Sequence, residues 1–470
     1  MSDDLVLSLD FESIEGDPPR FVDGSGRGNH AVAMAYSTAE PIGITRDRGG
    51  RVGKGLNVQK SNWAAVPSDD LNLTRSVNVE CWFRPAFDIG ARVHTWRGIL
   101  GKGICGATDV YGLRFKGHTQ QLQFVIRSGG RTFVAEAPVE LRMMQWVHLR
   151  GAYDGRIIRL FKDGALLAET AHTGRIDVTP DPLLIGTGWG PDYKVAGVID
   201  SVRIRGSEAA PAPNPSGRIQ VHPHEDERSV IIRVPAFPRT PFGYVIPEKA
   251  GAADGAVYSH LEWSPIEWHG PDEHGVIGYR GENEKSVFTA RLIPGVDSVE
   301  VHQSIRNRTD RVLEHAYSFH CLTACTTPAF ADFDRKRTFV AVEDRGLLST
   351  RQLLGPDAIR GVIRMARPRF GGHEFIDDLG TRPGQAVAKP RAGEPFMFIE
   401  SVDGGWIAAA ATSPACFLYT NGGNSCIHAC PYFEPIAPGE EGTTVSRLYF
   451  LRGGVQELRR RMKKDFSPAP

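Results

Sequence analysis

The chain has 470 residues, too many for one hydrophobic core, because single cores stop growing near ~250–300 residues. Hydrophobic residues make up 41% and charged residues 23%, the composition of a soluble globular protein, and 55 Lys+Arg against 55 Asp+Glu leave no net charge. Apart from the short basic cluster at 459–464 there is no like-charge block, which argues against a nucleic-acid binder, and no run of ~20 apolar residues offers a membrane span.

From the N-terminus, Met1-Ser2-Asp3-Asp4 lacks a basic and apolar leader. The expectation is a cytoplasmic protein as written, or an extracytoplasmic one if a leader has been trimmed. Seven cysteines is an odd number, so the thiols are expected to be mostly reduced. Alternating apolar and polar residues then recur in segments that begin at Leu5, Ser76, Gln121 and Arg156. Turn signals separate them at Asp23-Gly24, Ser128-Gly129-Gly130, Asp154-Gly155 and Asp163-Gly164. The Pro-rich stretch at 209–216 cannot join a central strand and marks a linker between domains at 1–208 and 217–470. Strands resume near Ser229, Ser286, Ser298, Arg337, Phe396, Trp406 and Thr444, and one amphipathic helix is expected at 455–464. The fold class is all-β: two sandwiches in series.

Five segments of the first half carry a resemblance: Leu7-Ser-Leu-Asp-Phe-Glu, the loop from Val22 to His30, Val79-Glu-Cys-Trp-Phe, Gln145-Trp-Val-His-Leu, and Gly197-Val-Ile-Asp-Ser-Val-Arg-Ile. Together and in this order they resemble the laminin-G-like, concanavalin-like jelly rolls. The resemblance implies a glycan-handling or docking domain, and a structural calcium held by Asp10, Asn29 and Asp200 with nearby carbonyls. The same two aspartates are equally suited to accepting loop N–H groups.

In the second half, Ser304-Ile-Arg-Asn307-Arg-Thr-Asp310 followed by His320 resembles the galactose mutarotase-like supersandwich of aldose epimerases and polysaccharide lyases. The epimerase's following His-x-Tyr-Phe and its late Glu have no counterpart here. The resemblance implies proton transfer at a carbon centre, for which histidine is suited near neutral pH. His320 and His428 are the expected acid–base pair, with Glu267 and Tyr317 behind them. Trp263, Trp268, His269, Arg337, Asn421 and Asn424 are the expected saccharide contacts, since aromatic faces pack on sugar C–H surfaces and guanidinium or amide groups bind carboxylates and hydroxyls. Arg337 is also placed for surface ion pairs with Asp332 and Asp334. A zinc reading would use Cys426, His428 and Cys430, with Cys321 or His320. That spacing matches no paired C-x-x-C signature, so zinc is not the expectation. The sequence thus leads to a carbohydrate-active protein whose partner is a saccharide or polysaccharide, processed by elimination or epimerisation. The alternative is a non-catalytic glycan-binding or structural protein.

Overall fold

The computed structural model describes residues 4–16, 19–35, 49–58, 62–86, 96–116, 121–189, 193–211, 217–224, 228–252, 255–259, 266–366 and 385–466. The chain divides into two compact units, Met1–Asn214 and Pro215–Pro470.

In the first unit two antiparallel sheets enclose one core. The seven-stranded sheet runs in the order Asp4–Leu9, Gly197–Ala209, Leu73–Pro85, Val147–Tyr153, Ile157–Lys162, Ala165–Ala171, with Leu56–Asn57 added beside Gly197–Ala209. A nine-stranded sheet faces it, starting from Arg131–Pro138, Gln121–Ser128, Tyr111–Lys116 and Trp96–Lys102. Alternation builds the core: Val77, Val79, Cys81 and Phe83 from one sheet meet Leu113, Phe115, Leu122 and Phe124 from the other. The turn residues act as their chemistry requires. Asp163 and Gly164 have φ of 50° and 83°, the positive values a two-residue hairpin needs to follow the strand twist.

The second unit is a β-sandwich of two sheets with nine described strands each. One sheet contains, in order, Phe242–Ala252, Tyr317–Thr323, Cys426–Pro431, Ala415–Asn421 and Arg360–Arg364. The other contains Ile277–Glu282, Ser286–Pro294, Ser298–Asn307, Glu441–Arg452, Trp406–Thr412 and Ala392–Glu400. Phe242, Tyr244, Leu322, Ile427 and Ala429 of the first meet Phe288, Leu292, Val301, Leu448 and Phe450 of the second. The helix Val455–Asp465 lays Leu458 over the outer face of the second sheet, against Phe398 and Tyr449. A further five-residue helix, Thr350–Leu354, is fixed by a Ser349/Gln352 capping box and is too short to leave a periodic signal.

Candidate functional site

Because Val77, Val79, Cys81 and Phe83 point into the first unit's core, Asn78, Glu80, Trp82 and Arg84 must point away from it. Strand register sets Trp82 beside His148 and Glu80 beside Arg150, and Arg150 in turn beside Phe161. On the other side Arg203 lies next to Glu80 and Arg205 next to Asn78. The result is a half-exposed face in which three aromatic rings each carry a guanidinium. Arg51 lies 4.6 Å from the Trp82 ring centre, Arg84 5.1 Å from Trp146 and Arg150 4.7 Å from Phe161. Between them Glu80 reaches His148 Nε2 at 3.4 Å. That histidine, with the charges of Arg150 and Arg205, holds the Glu80 carboxyl below its ordinary range in spite of partial burial.

Asp200 sets the geometry at one end of this face. Its buried carboxylate accepts the backbone N–H of Arg51 at 2.7 Å and of Val52 at 3.1 Å, and its other oxygen takes the N–H of Ser201 at 2.6 Å. Burial pushes its pKa up against these bonds. The pinned loop then lays Arg51 on Trp82, while Arg84 donates to the Gly49 carbonyl at 3.1 Å. Only glycine fits at position 50, where a Cβ would lie 2.0 Å from the Lys54 carbonyl oxygen. Asp10 pairs with Arg203 at 2.6 Å. Asn29 donates its side-chain amide to the Val6 carbonyl at 2.9 Å, inside a loop organised by Asp23. The three residues expected to bind calcium therefore answer to three different protein partners.

The opposite sheet of this unit carries a second polar array on its own non-core side. Arg114 pairs with Asp109 at 2.7 Å and donates to Gln123 Oε1 at 2.9 Å, and Gln123 Nε2 reaches Glu136 at 2.7 Å. Arginine only donates, so Gln123 must turn its oxygen inward and its amide nitrogen outward. Asp109, Arg114 and Gln123 are buried, and the array acts as an internal brace.

In the second unit the two expected catalytic histidines do not meet. Leu322 pairs with Ile427 and Thr323 with Cys426, so the next rungs pair Cys321 with His428 and His320 with Ala429. His320 consequently faces the inter-sheet core, where its Nδ1 meets the Tyr244 hydroxyl at 2.7 Å, and burial pulls its pKa down to about 3. His428 occupies the other face. Its ring stacks on Phe319 with centres 4.5 Å apart and meets the edge of Tyr419 at 5.0 Å. Burial, and then His320, hold its pKa well below the ordinary value. Its Nε2 lies 3.1 Å from Cys426 Sγ, and the Cys321 thiol joins the same cluster.

The remaining expected residues disperse. Tyr317 is buried against Phe417 and beside Gly251. Glu267 is exposed. Trp268 packs edge-on against Tyr279 with ring centres 4.8 Å apart. His269 sits at the rim of an open groove of about 760 Å3 shared with Arg280, Arg291, His302 and Thr443. Trp263 lies outside the described residues. The Arg337 guanidinium clamps the carbonyls of Ala331 and Glu400, so it serves the fold of its own loop. Asn421 caps the turn that follows it through Gly423 N–H at 3.0 Å, and the Asn424 carbonyl accepts from Thr323 Oγ1 at 2.6 Å. Asn307, which anchors the mutarotase-like motif, is a buried turn-builder whose amide donates to the Arg311 and Ile436 carbonyls at 2.7 and 2.9 Å. Trp82 and Trp146 lie in segments that carry the jelly-roll resemblance, and the signal for a surface is present only at Trp82, where Glu80 and Arg84 alternate with the core residues Cys81 and Phe83.

Residues 58–211 match the family model described as the concanavalin A-like lectin/glucanases superfamily, of the laminin-G type. This is the jelly roll that carries the Trp82 face. No curated protein sequence matches the chain. Among solved structures, domain 4 of a GH43 extracellular arabinanase from Geobacillus stearothermophilus, in complex with arabinotriose, is 14% identical with a TM-score of 0.32, over 45% of this chain and 96% of that one. The CBM40 of the Ruminococcus gnavus IT-sialidase, bound to α2,3 sialyllactose, is 14% identical with a TM-score of 0.27, over 32% and 88%. A Trypanosoma rangeli sialidase is 18% identical with a TM-score of 0.30, over 43% of this chain and only 31% of that one. Likenesses at these scores carry no functional argument.

Proposed function

We propose that the protein binds a saccharide, and that the outer face of the seven-stranded sheet holds it. The observation behind this reading is the set of three half-exposed aromatic–guanidinium pairs around Glu80 and His148. Aromatic rings pack on sugar C–H faces, and guanidinium groups bind carboxylates or sulfates in bidentate fashion, so the chemistry favours an acidic polysaccharide. The superfamily match over residues 58–211 points the same way. Elimination or epimerisation at His320 and His428 finds less support. The two rings lie on opposite faces of one sheet, and a histidine whose pKa has fallen to about 3 is a weak base at neutral pH. Binding without turnover is the reading this geometry favours.

The test is a panel of neutral, carboxylated and sulfated polysaccharides, followed by affinity electrophoresis and calorimetry, with reducing ends and unsaturated-product absorbance recorded in parallel. Retention of acidic polymers, weakening as salt rises, is the expected result. Trp146→Ala and Arg84→Ala should each weaken binding about tenfold, the scale of a partly desolvated cation–π or charged hydrogen bond. Retention untouched by both substitutions would remove the face from the account, and an unsaturated product would return the account to elimination.

A further inference from the structure

We propose that Cys321, Cys426 and His428 form a binding site for one zinc(II) ion, with Glu248 beside it. The site is independent of the saccharide reading and is written into the strand pairing. Cys426 and His428 are two residues apart in one strand and so project from the same face. The antiparallel register, fixed by Leu322–Ile427 and Thr323–Cys426, brings Cys321 of the neighbouring strand directly alongside His428.

The two sulfurs and one imidazole nitrogen lie within 4.8 Å of one another, and the His428 Nε2 to Cys426 Sγ distance is 3.1 Å. A tetrahedral zinc with Zn–S of ~2.3 Å and Zn–N of ~2.0 Å holds such atoms about 3.5–3.8 Å apart. Shifts of about 1 Å or less would thus enclose the ion. All three side chains are buried, and the imidazole cannot swing away, because Phe319 stacks on it and Tyr419 abuts it. Cys430 lies on the same strand but belongs to the neighbouring aromatic cluster with Phe417 and Tyr419.

Donor chemistry selects the metal. Two thiols and an imidazole suit a soft or borderline ion and reject calcium and magnesium, which require oxygen. Glu248 reaches the Cys321 thiol. A carboxylate at that place favours zinc over copper(I) as a fourth, oxygen ligand. Binding releases the two thiol protons to solvent, and the two thiolates neutralise the dication, so the charge left at the site is that of the half-buried Glu248 carboxylate.

The experiment uses the full-length protein, stripped with a chelator under reducing conditions. It is titrated with zinc in competition with a chromophoric chelator, and separately with cobalt(II). The expected result is one zinc per chain, two protons released per ion, and a thiolate-to-cobalt charge-transfer band. Cys426→Ser and Cys321→Ser should each weaken zinc binding at least ~100-fold, Glu248→Gln about 10–100-fold, since a neutral amide is a weaker oxygen ligand, and Cys430→Ser should leave it unchanged. The wild-type cobalt band needs no substitution and stands even if a variant fails to fold. Absence of that band with no zinc retained, or loss of binding in Cys430→Ser equal to that in Cys426→Ser, would overturn the proposal.

Discussion

On the outer face of the seven-stranded sheet, Glu80, His148, Arg84 and Arg150 stay half exposed and each has a charged or aromatic neighbour. On the strands Tyr317–Thr323 and Cys426–Pro431 the outward positions are instead buried: Tyr317, Phe319, Cys321, Cys426, His428 and Cys430. Both surfaces arise from the same alternation along a strand, so local sequence pattern does not separate them. Solvation does. Where water reaches the face, charged groups remain charged and complementary to a polar ligand. Where it does not, burial drives histidine and cysteine to their neutral forms, and only a partner that replaces the missing water, such as a metal ion, would restore charge there.

The sharpest way to break this comparison is inside the first unit. Arg114→Leu removes the cation from a buried pair and strands the Asp109 carboxylate, which costs about 3–5 kcal/mol. Urea unfolding of the first unit checks it, and a loss below about 1 kcal/mol would mean that the Asp109–Arg114–Gln123–Glu136 array is no brace.

The difference in solvation also explains how much was legible. The two-sandwich fold followed from period-2 patterns and Asp-Gly turns because each such strand has one wet and one dry side, as in Val147–Tyr153, where buried and half-buried residues alternate. Tyr317–Thr323 is buried throughout, so its pattern could not tell the face of His320 from that of His428. The closeness of Cys321 to Cys426 depends on a pairing across about a hundred residues of sequence, which spacing does not reveal. Asp200 was recognisable as important, but its partners at Arg51 and Val52 lie in a loop far away in the chain.

A pH series sharpens the comparison next. His320 and His428 have folded pKa values below the unfolded value of 6.5, about 3 in the case of His320. The unfolded chain therefore binds their protons first. The stability they confer is whole above pH 6.5 and declines as pH falls towards 3, by about 1.4 kcal/mol per pH unit for each group. In the first unit the Glu80 carboxyl is lowered from 4.5, chiefly by its bond to His148, so its contribution is lost only as pH falls below that value. Unfolding followed separately in each unit between pH 7 and 5 should show the second weakening while Glu80 leaves the first unaffected. Equal slopes, or a flat second unit, would contradict the burial of the histidines in neutral form.

The smallest effect concerns calcium, which remains a proposal for Asp10, Asn29 and Asp200. Saturation at a hundredfold excess over Kd would add about 2.7 kcal/mol to the first unit. An ion there must draw Asp10 from Arg203 and compete with three N–H donors at Asp200, so about 1 kcal/mol or less is expected at millimolar calcium. Melting with and without chelator, on protein of measured metal content, gives the answer. A gain near the saturation value would establish a structural ion, and no shift would remove it.

The central claim is that a saccharide is held by the first unit's outer face and not by the histidines of the second. Hydrogen exchange of the full-length protein, free and saturated with the tightest polysaccharide of the panel, tests it most directly. The account predicts slower exchange in Leu73–Pro85, Val147–Tyr153, Ile157–Lys162 and the 49–55 loop, with no change in Tyr317–Thr323 or Cys426–Pro431. Protection confined to the second unit would contradict it.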